Sequence, residues 1–314
     1  MFRSSPGGLQ GYGLAAFLAA LMIFFSLSSP YFLTLTNLTN ILIQSAVLLT
    51  LATGMTLVIA TAGIDLSMGA VLALSGIIVA GVLKSGAGLA AGILTGLAAG
   101  AIMGFLNGLG IACLRISPFI ITLGAMGVFR ALGLLFTQAQ PIYGLPMSFR
   151  LIGTGWLGPA PLCTVIAAGV VGLGWFIVSQ TRFGADLRAV GDNDRAAFRL
   201  GVNLVKVRLG VYALSGAIAA AAGLIVTARL NTAEAIAGMG LEMEAIAAVI
   251  MGGTSFQGGE ARIGGSVLGA LILGTLQNGL TIINVPSYWQ QLCIGSIFIL
   301  AVLADQIRRR GETQ

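Results

Sequence analysis

The sequence predicts an all-α, polytopic membrane helical bundle, and three observations carry that expectation. Hydrophobic residues make up 57% of the 314-residue chain and charged residues only 8%, with a mean hydropathy of +0.99. Soluble domains are about 25% charged. Charge-free stretches cover residues 4–64 and 263–304, each longer than the ~20 residues a membrane helix needs. The apolar runs are also continuous, whereas barrel strands alternate in ~10-residue segments with polar lumen faces. A β-barrel is therefore excluded. Length alone would suggest two soluble domains, but composition overrides that prior.

About ten spans are expected, in order. Residues 13–29 end at Ser-Ser-Pro and read as an uncleaved first span. Removing them as a signal peptide would leave an odd number of spans and split the termini across the membrane. Residues 40–61 form the second span, and Ala-Gly-Ile-Asp-Leu-Ser joins it to the third, 67–83, which ends at Lys84. Residues 88–112 end near Arg115, and 118–137 are the fifth span. The connector that follows contains Pro141, Pro146, Pro159 and Pro161, the composition of a loop. Spans at 162–180 and 209–228 flank the most charged stretch of the chain. Residues 241–252 would make a helix only about 18 Å long, so a short or broken eighth segment is expected there. Spans at 265–283 and 288–305 complete the set.

Charge sets the orientation. With both termini cytoplasmic, Arg3, Arg115, Arg182, Arg188, Arg195, Arg199, Lys206, Arg208, Arg262, Arg308, Arg309 and Arg310 fall inside. Lys84, Arg150 and Arg229 fall outside, and Arg130 lies within a span. Lys and Arg mark the cytoplasmic side. The net charge of +6 therefore reflects topology, and no nucleic-acid partner is expected. On this reading residues 1–314 form one transmembrane domain with a cytoplasmic loop at 181–208.

Covalent chemistry is not expected. The chain has no histidine, and Cys113, Cys163 and Cys293 lie in or beside apolar runs without metal-ligand spacing. No Ser/His/Asp set, metal cluster or paired buried carboxylates stand out. The pattern GxxxxGK[ST] of a phosphate-cradling loop is absent, so the chain is expected to hold no cofactor and not to bind ATP in that way.

The 181–208 stretch, TRFGADLRAVGDNDRAAFRLGVNLVKVR, places Arg182, Asp186, Arg188, Asp192, Asp194, Arg195, Arg199, Lys206 and Arg208 between uncharged flanks. Asp192 or Asn193 is placed to cap a short helix, and Gly201 to supply its left-handed end. Arg195 and Arg199, four apart, share a face, and Ala196, Ala197 and Phe198 offer a small, partly apolar surface. The stretch reads either as a solvated connector or as the docking site of a separate soluble motor. Spanning alone requires no Ala-Ala-Phe patch in water.

The motifs sharpen this. GDNDRAAFRLGVN resembles the GxNxxAARxxGI segment of ribose-type bacterial sugar permeases, the membrane subunits of ATP-binding cassette importers. The resemblance covers nearly the whole chain. It includes Gly63-Ile64-Asp65-Leu66-Ser67, Pro118-Phe119 with Thr122-Leu123 and Arg130, and Glu244-Ala245-Ile246-Ala247-Ala248-Val249. It continues through Gly252-Gly253-Thr254-Ser255, Gly258-Gly259 and Gly269-Ala270. Two departures stand out: Phe198 occupies a position usually basic, with Arg199 one place later, and Ala131 replaces a glycine. The resemblance implies a multi-pass protein of the bacterial inner membrane that imports a monosaccharide or similar solute; the alternatives are an importer permease for a nucleoside, amino acid or signalling molecule, or an ion-coupled secondary transporter, for which Asp65 and Arg130 are the ionisable candidates. It implies a second permease chain, a cytoplasmic ATPase that binds the ATP, and a periplasmic or surface binding protein. It also implies that Asp192, Asn193, Arg195, Ala196, Ala197, Phe198, Arg199 and Gly201 form the coupling helix that sits in a groove of the ATPase.

Several polar and glycine positions inside the apolar runs carry further expectations. Gly63 is placed to end one helix and Asp65 to cap the next, or Asp65 holds a hinge or lines the translocation path, since a carboxylate near the membrane is a functional candidate. Arg130 is a second such candidate. Glu242 and Glu244 fall in the first turn of the short segment, where negative charge is favourable. Asn107, Gln277 and Asn278 either bridge helices or meet a sugar hydroxyl. Gly92, Gly96, Gly100, Gly104 and Gly108 form a small-xxx-small ladder for close helix packing. Its spacing drifts about 40° per step on a 3.6-residue helix, so two neighbours are needed to cover it. In GGTSFQGGEARIGG the glycines suit irregular backbone between a half-helix and the next span.

Overall fold

The computed structural model describes residues 7–312; Arg3 lies outside them. The chain opens with α1 (Gly7–Ser28), α2 (Leu35–Ala60), α3 (Met68–Lys84), α4 (Leu89–Ala112) and α5 (Pro118–Thr137). A connector then forms β1 (Ile142–Tyr143), α6 (Met147–Thr154), β2 (Trp156–Leu157) and β3 (Ala160–Pro161). There follow α7 (Leu162–Gln180), α8 (Arg182–Asp192), α9 (Asp194–Arg199), α10 (Leu204–Leu230), β4 (Thr232–Ala233), α11 (Leu241–Met251), α12 (Ile263–Ile282) and α13 (Ser287–Glu312). Among the described residues six helices, α2, α4, α5, α7, α10 and α12, are long and apolar enough to cross a membrane.

The purely helical expectation needs one amendment. β1 pairs antiparallel with β4, and β2 with β3. The β1–β4 ladder ties the proline-rich connector to the end of α10, where Phe149 of α6 is fully buried and Gly153 lies against the Arg229 backbone; β2–β3 closes a turn within the connector. The strands pair backbone groups that a packed connector would otherwise leave unsatisfied.

Residues 45–60 of α2 are buried without exception, as suits a helix apolar on every side. Its threonines fit that setting because their hydroxyls bond back one turn, Thr50 to Ala46, Thr53 to Leu49 and Thr56 to Ala52. α10 runs antiparallel beside α2. Arg229 donates to the Ile43 carbonyl at one end, Ile218 meets Gly54 midway, and Tyr212 donates to the Ile64 carbonyl at the other.

Two halves emerge from this packing. Ala60-x-Ala62-Gly63-x-x-Leu66-x-Met68-x-Ala70 recurs as Ala235-x-Ala237-Gly238-x-x-Leu241-x-Met243-x-Ala245. Each copy crosses the non-helical stretch that follows a long helix and opens a shorter helix, α3 or α11. The halves interlock: α4 packs on α10 and α12 on α2, while α3 also packs on α10 and α11 on α2. Because α2 and α10 are antiparallel, the repeat is inverted.

The charged stretch is more ordered than a loop. Thr181 caps α8 through Gly184 N–H, Asn193 caps α9 through Ala196 N–H, and Asn203 caps α10 through Lys206 N–H. Lys206 and Arg208 therefore sit in the first turns of α10 rather than in a connector.

Candidate functional site

The site is built where the α2–α3 turn meets the charged segment. Asp65 and Ser67 are both buried. Asp65 Oδ1 accepts from Ser67 N–H at 3.0 Å and from Ser67 Oγ at 2.6 Å, while Oδ2 accepts from Ser215 Oγ of α10 at 3.0 Å. Asn107 of α4 donates Nδ2–H to Ser67 Oγ at 2.8 Å. Thr122 of α5 and Tyr212 of α10 both donate to the Ile64 carbonyl. One short turn is thus held by side chains from α4, α5 and α10, and every oxygen of its carboxylate is used.

This corrects two local expectations. The N-cap of α3 is Ser67, which makes no side-chain cap bond; Asp65 sits two residues earlier and binds the Ser67 backbone as an Asx turn. The left-handed residue after α2 is Ala62, with φ 57°, not Gly63. Gly63 is required for space, because a Cβ there would lie 2.6 Å from the Tyr212 hydroxyl.

The charged segment touches this turn through bare backbone. A Cβ on Gly191, at the end of α8, would overlap the Ala60 carbonyl, which also accepts from Gly259 N–H at 3.0 Å. A Cβ on Gly258 would press on Ala62 and on the Gly191 carbonyl. The end of α2, the end of α8 and the glycine-rich 252–265 segment therefore meet within one atom layer, leaving no side chain to cushion relative movement.

Asn193 supplies the cap of α9, and Asp192 is the last residue of α8. Gly201, at φ 87°, closes α9, with its N–H on the Phe198 carbonyl and Val202 N–H on that of Ala197. Arg195, Ala196, Phe198 and Arg199 are exposed; Phe198 is 68% exposed and the neighbouring Leu200 84%. Ala197 departs from expectation: it is 2% exposed and packs with Val58, Val190 and Val207 inside the protein. A six-residue helix seated on the bundle must turn one side inward, and a small side chain, Ala197, takes that side. Ala197 belongs to the core rather than to a docking surface.

The remaining sequence candidates are spread along the bundle. Arg130 of α5 donates to the Ala235 carbonyl at 2.8 Å, at the start of the second repeat motif. Gln277 of α12 donates to Glu244 of α11 at 3.1 Å. Asn278 is buried with Oδ1 unpartnered. Glu242 accepts from Gly240 N–H through Oε1, while Oε2 packs on Gly69 in the first turn of α3. Carboxylate thus sits where two helix N-termini meet, which is electrostatically favourable. Along the glycine ladder, Gly92 and Gly96 face α3 at Leu83 and Val79, and Gly100, Gly104 and Gly108 face α10.

Beside the turn opens a cleft of about 1420 Å³. Its walls are residues 61–63, the α4–α5 corner at 115–118, and the segment from Val190 to Tyr212. α8, the repeat, and the roles of Ser215, Tyr212 and Gly191 emerge from the structure. The motif Ala-x-Ala-Gly-x-x-Leu-x-Met-x-Ala was legible as a repeat; the partners of Asp65 were not, because they lie in other helices.

Known proteins place this geometry. The family described as branched-chain amino acid transport system / permease component matches residues 37–302. The chain is 42% identical to the ribose import permease protein RbsC of Bacillus subtilis (strain 168), covering 96% of this chain and 94% of that protein. It is 39% identical to the D-allose transport system permease protein AlsC of Escherichia coli (strain K12), covering 94% and 91%. The galactose/methyl galactoside import permease protein MglC of Salmonella typhimurium is 36% identical, covering 96% and 95%. A match of this extent, with the turn, the charged segment and the glycine ladder all inside it, shows that the chain belongs to the family of branched-chain amino acid transport system permease components.

Proposed function

We propose that this chain is the permease subunit of an ATP-binding cassette importer for a monosaccharide. The relatives' sugars motivate the solute class. The observation that carries the mechanism is the contact of Gly191 with the end of α2, one residue before the exposed helix-capping segment. A soluble ATPase gripping α9 would move Gly191, and with it the α2–α3 turn that Asp65 ties to α10. The chain performs no covalent chemistry and holds no cofactor; ATP is bound by the partner. Two permease chains, two ATPase domains and a solute-binding protein make the working assembly.

On this reading residues 1–314 are one transmembrane domain of ten spans with both termini cytoplasmic. The helices α1, α2, α3, α4, α5, α7, α10, α11, α12 and α13 are the spans, and the inverted repeat relates α2–α5 to α10–α13. In a cysteine-free background, Ser148→Cys and Ser287→Cys, both exposed, should react with an impermeant maleimide in intact cells, and Asn193→Cys should not. Labelling at Asn193 from outside overturns the topology.

The docking surface is Phe198 with Arg195, Ala196, Arg199 and Leu200. Phe198→Asp should leave the permease folded, because exposed substitutions usually change stability by less than ~0.5 kcal/mol. Uptake should be lost and the ATPase should no longer co-purify, since a charge placed at the centre of an interface lacks a partner. Wild-type uptake in Phe198→Asp would sink the coupling role of α9.

A further inference from the structure

We infer that the cleft beside the charged segment receives a carboxylate-rich segment of the ATPase, which bridges Arg115 to Arg195 and Arg199; this rests on the importer reading above. It extends the docking surface of α9 across the cleft: Arg195, Phe198 and Arg199 line both, and Arg115 adds the opposite wall.

Charge identifies the occupant. Arg115, Arg195, Arg199 and Arg208 all line the cleft, against Asp192 and Asp194. Asp194 already pairs with Arg208 at 3.4 Å, and no ion pair forms to the other three arginines among the described residues. Guanidinium groups grip carboxylates in a two-pronged fashion, so a row of them suits an acidic strand or loop. At about 1420 Å³ the space exceeds a usual small-ligand pocket of about 300–1000 Å³ and suits a stretch of peptide.

Geometry gives the contact a purpose. Arg115 holds φ 58°, a left-handed conformation uncommon for a side-chain-bearing residue and of the kind that clusters at functional sites. It turns the α4–α5 corner. α5 starts three residues later at Pro118, and one turn in Thr122 is tied to the Ile64 carbonyl of the α2–α3 turn. A segment spanning Arg115 and α9 would therefore connect the motor to α5 as well as to α2.

The test uses the full permease with its ATPase, in nanodiscs for binding and labelling and in proteoliposomes with the binding protein for uptake. Arg115→Glu should fold as wild type, bind the ATPase about tenfold more weakly, show a flatter dependence of binding on NaCl, and lose ATP-driven uptake in proportion. Arg115→Lys should keep most of both. In a background lacking Cys113 and Cys293, Ser117→Cys should react with maleimide in the permease alone and be shielded by the ATPase. Wild-type affinity and salt dependence in Arg115→Glu, or equal labelling of Ser117→Cys with and without bound ATPase, overturns the inference. Shielding by inorganic pyrophosphate while bound ATPase leaves Ser117→Cys reactive also overturns it, assigning the cleft to a small phosphate-bearing ligand. Failure of the wild-type permease to bind the ATPase at all would instead remove the importer reading itself.

Discussion

Gly104→Leu is expected to leave almost no folded protein. A Cβ at Gly104 would overlap the Tyr212 carbonyl, and one at Gly100 that of Gly216. These neighbours are helix backbone, so no rotamer change can make room. Overpacking costs about 1–3 kcal/mol where side chains can yield, and here the cost lies at or above the top of that range. Separating α4 from α10 would also pull Tyr212 from the Ile64 carbonyl and Asn107 from Ser67. Thermal stability after detergent extraction is the measurement, with Gly124→Leu as the comparison. A Cβ at Gly124 of α5 meets nothing within 4 Å, so that variant should extract and melt like wild type. Equal melting of the two would show that α4 does not pack on α10 through these glycines.

Asp65→Ala should be the most damaging polar truncation. It leaves the Ser67 N–H, the Ser67 hydroxyl and the Ser215 hydroxyl without their acceptor, all in buried surroundings. Each buried donor left unmade costs about 1–3 kcal/mol; the hydroxyls are free to rotate toward nearby carbonyls, so the expected loss is about 3 kcal/mol rather than the full sum. Asp65→Asn keeps an oxygen for Ser67 and turns an amide toward Ser215, whose hydroxyl also accepts. It should therefore remain folded. Bonds to a charged acceptor are roughly twice as strong as neutral ones, so the tie between the turn and α10 weakens and uptake should slow by a factor of several. A stable Asp65→Ala would show that the carboxylate does not hold the turn. Normal uptake in Asp65→Asn would show that its charge plays no part in switching.

The helical membrane class, most helix positions and the place of the charged segment are written in local patterns of the sequence. Residues 118–137 and 162–180 match α5 and α7 end to end, because hydropathy and the bounding prolines are local properties. A cap at Asp192 or Asn193 and Gly201 as the left-handed end of α9 are legible for the same reason, since capping involves groups within a few residues; the structure uses Asn193. The charged stretch that its polarity marks as loop is helical at α8, because Leu187 and Val190 find buried places against the bundle. That Ala197 faces inward while Phe198 faces out is set by packing against the bundle, since a helix of fewer than two turns has no periodic pattern to read. The tertiary structure alone decides that Asp65 is tied to Ser215, 150 residues away, and that Arg115 faces the same cleft as Arg195. Those pairings come from helices crossing one another. Which faces cross depends on where small residues permit backbone contact, and both sides of each contact must be known before either can be placed.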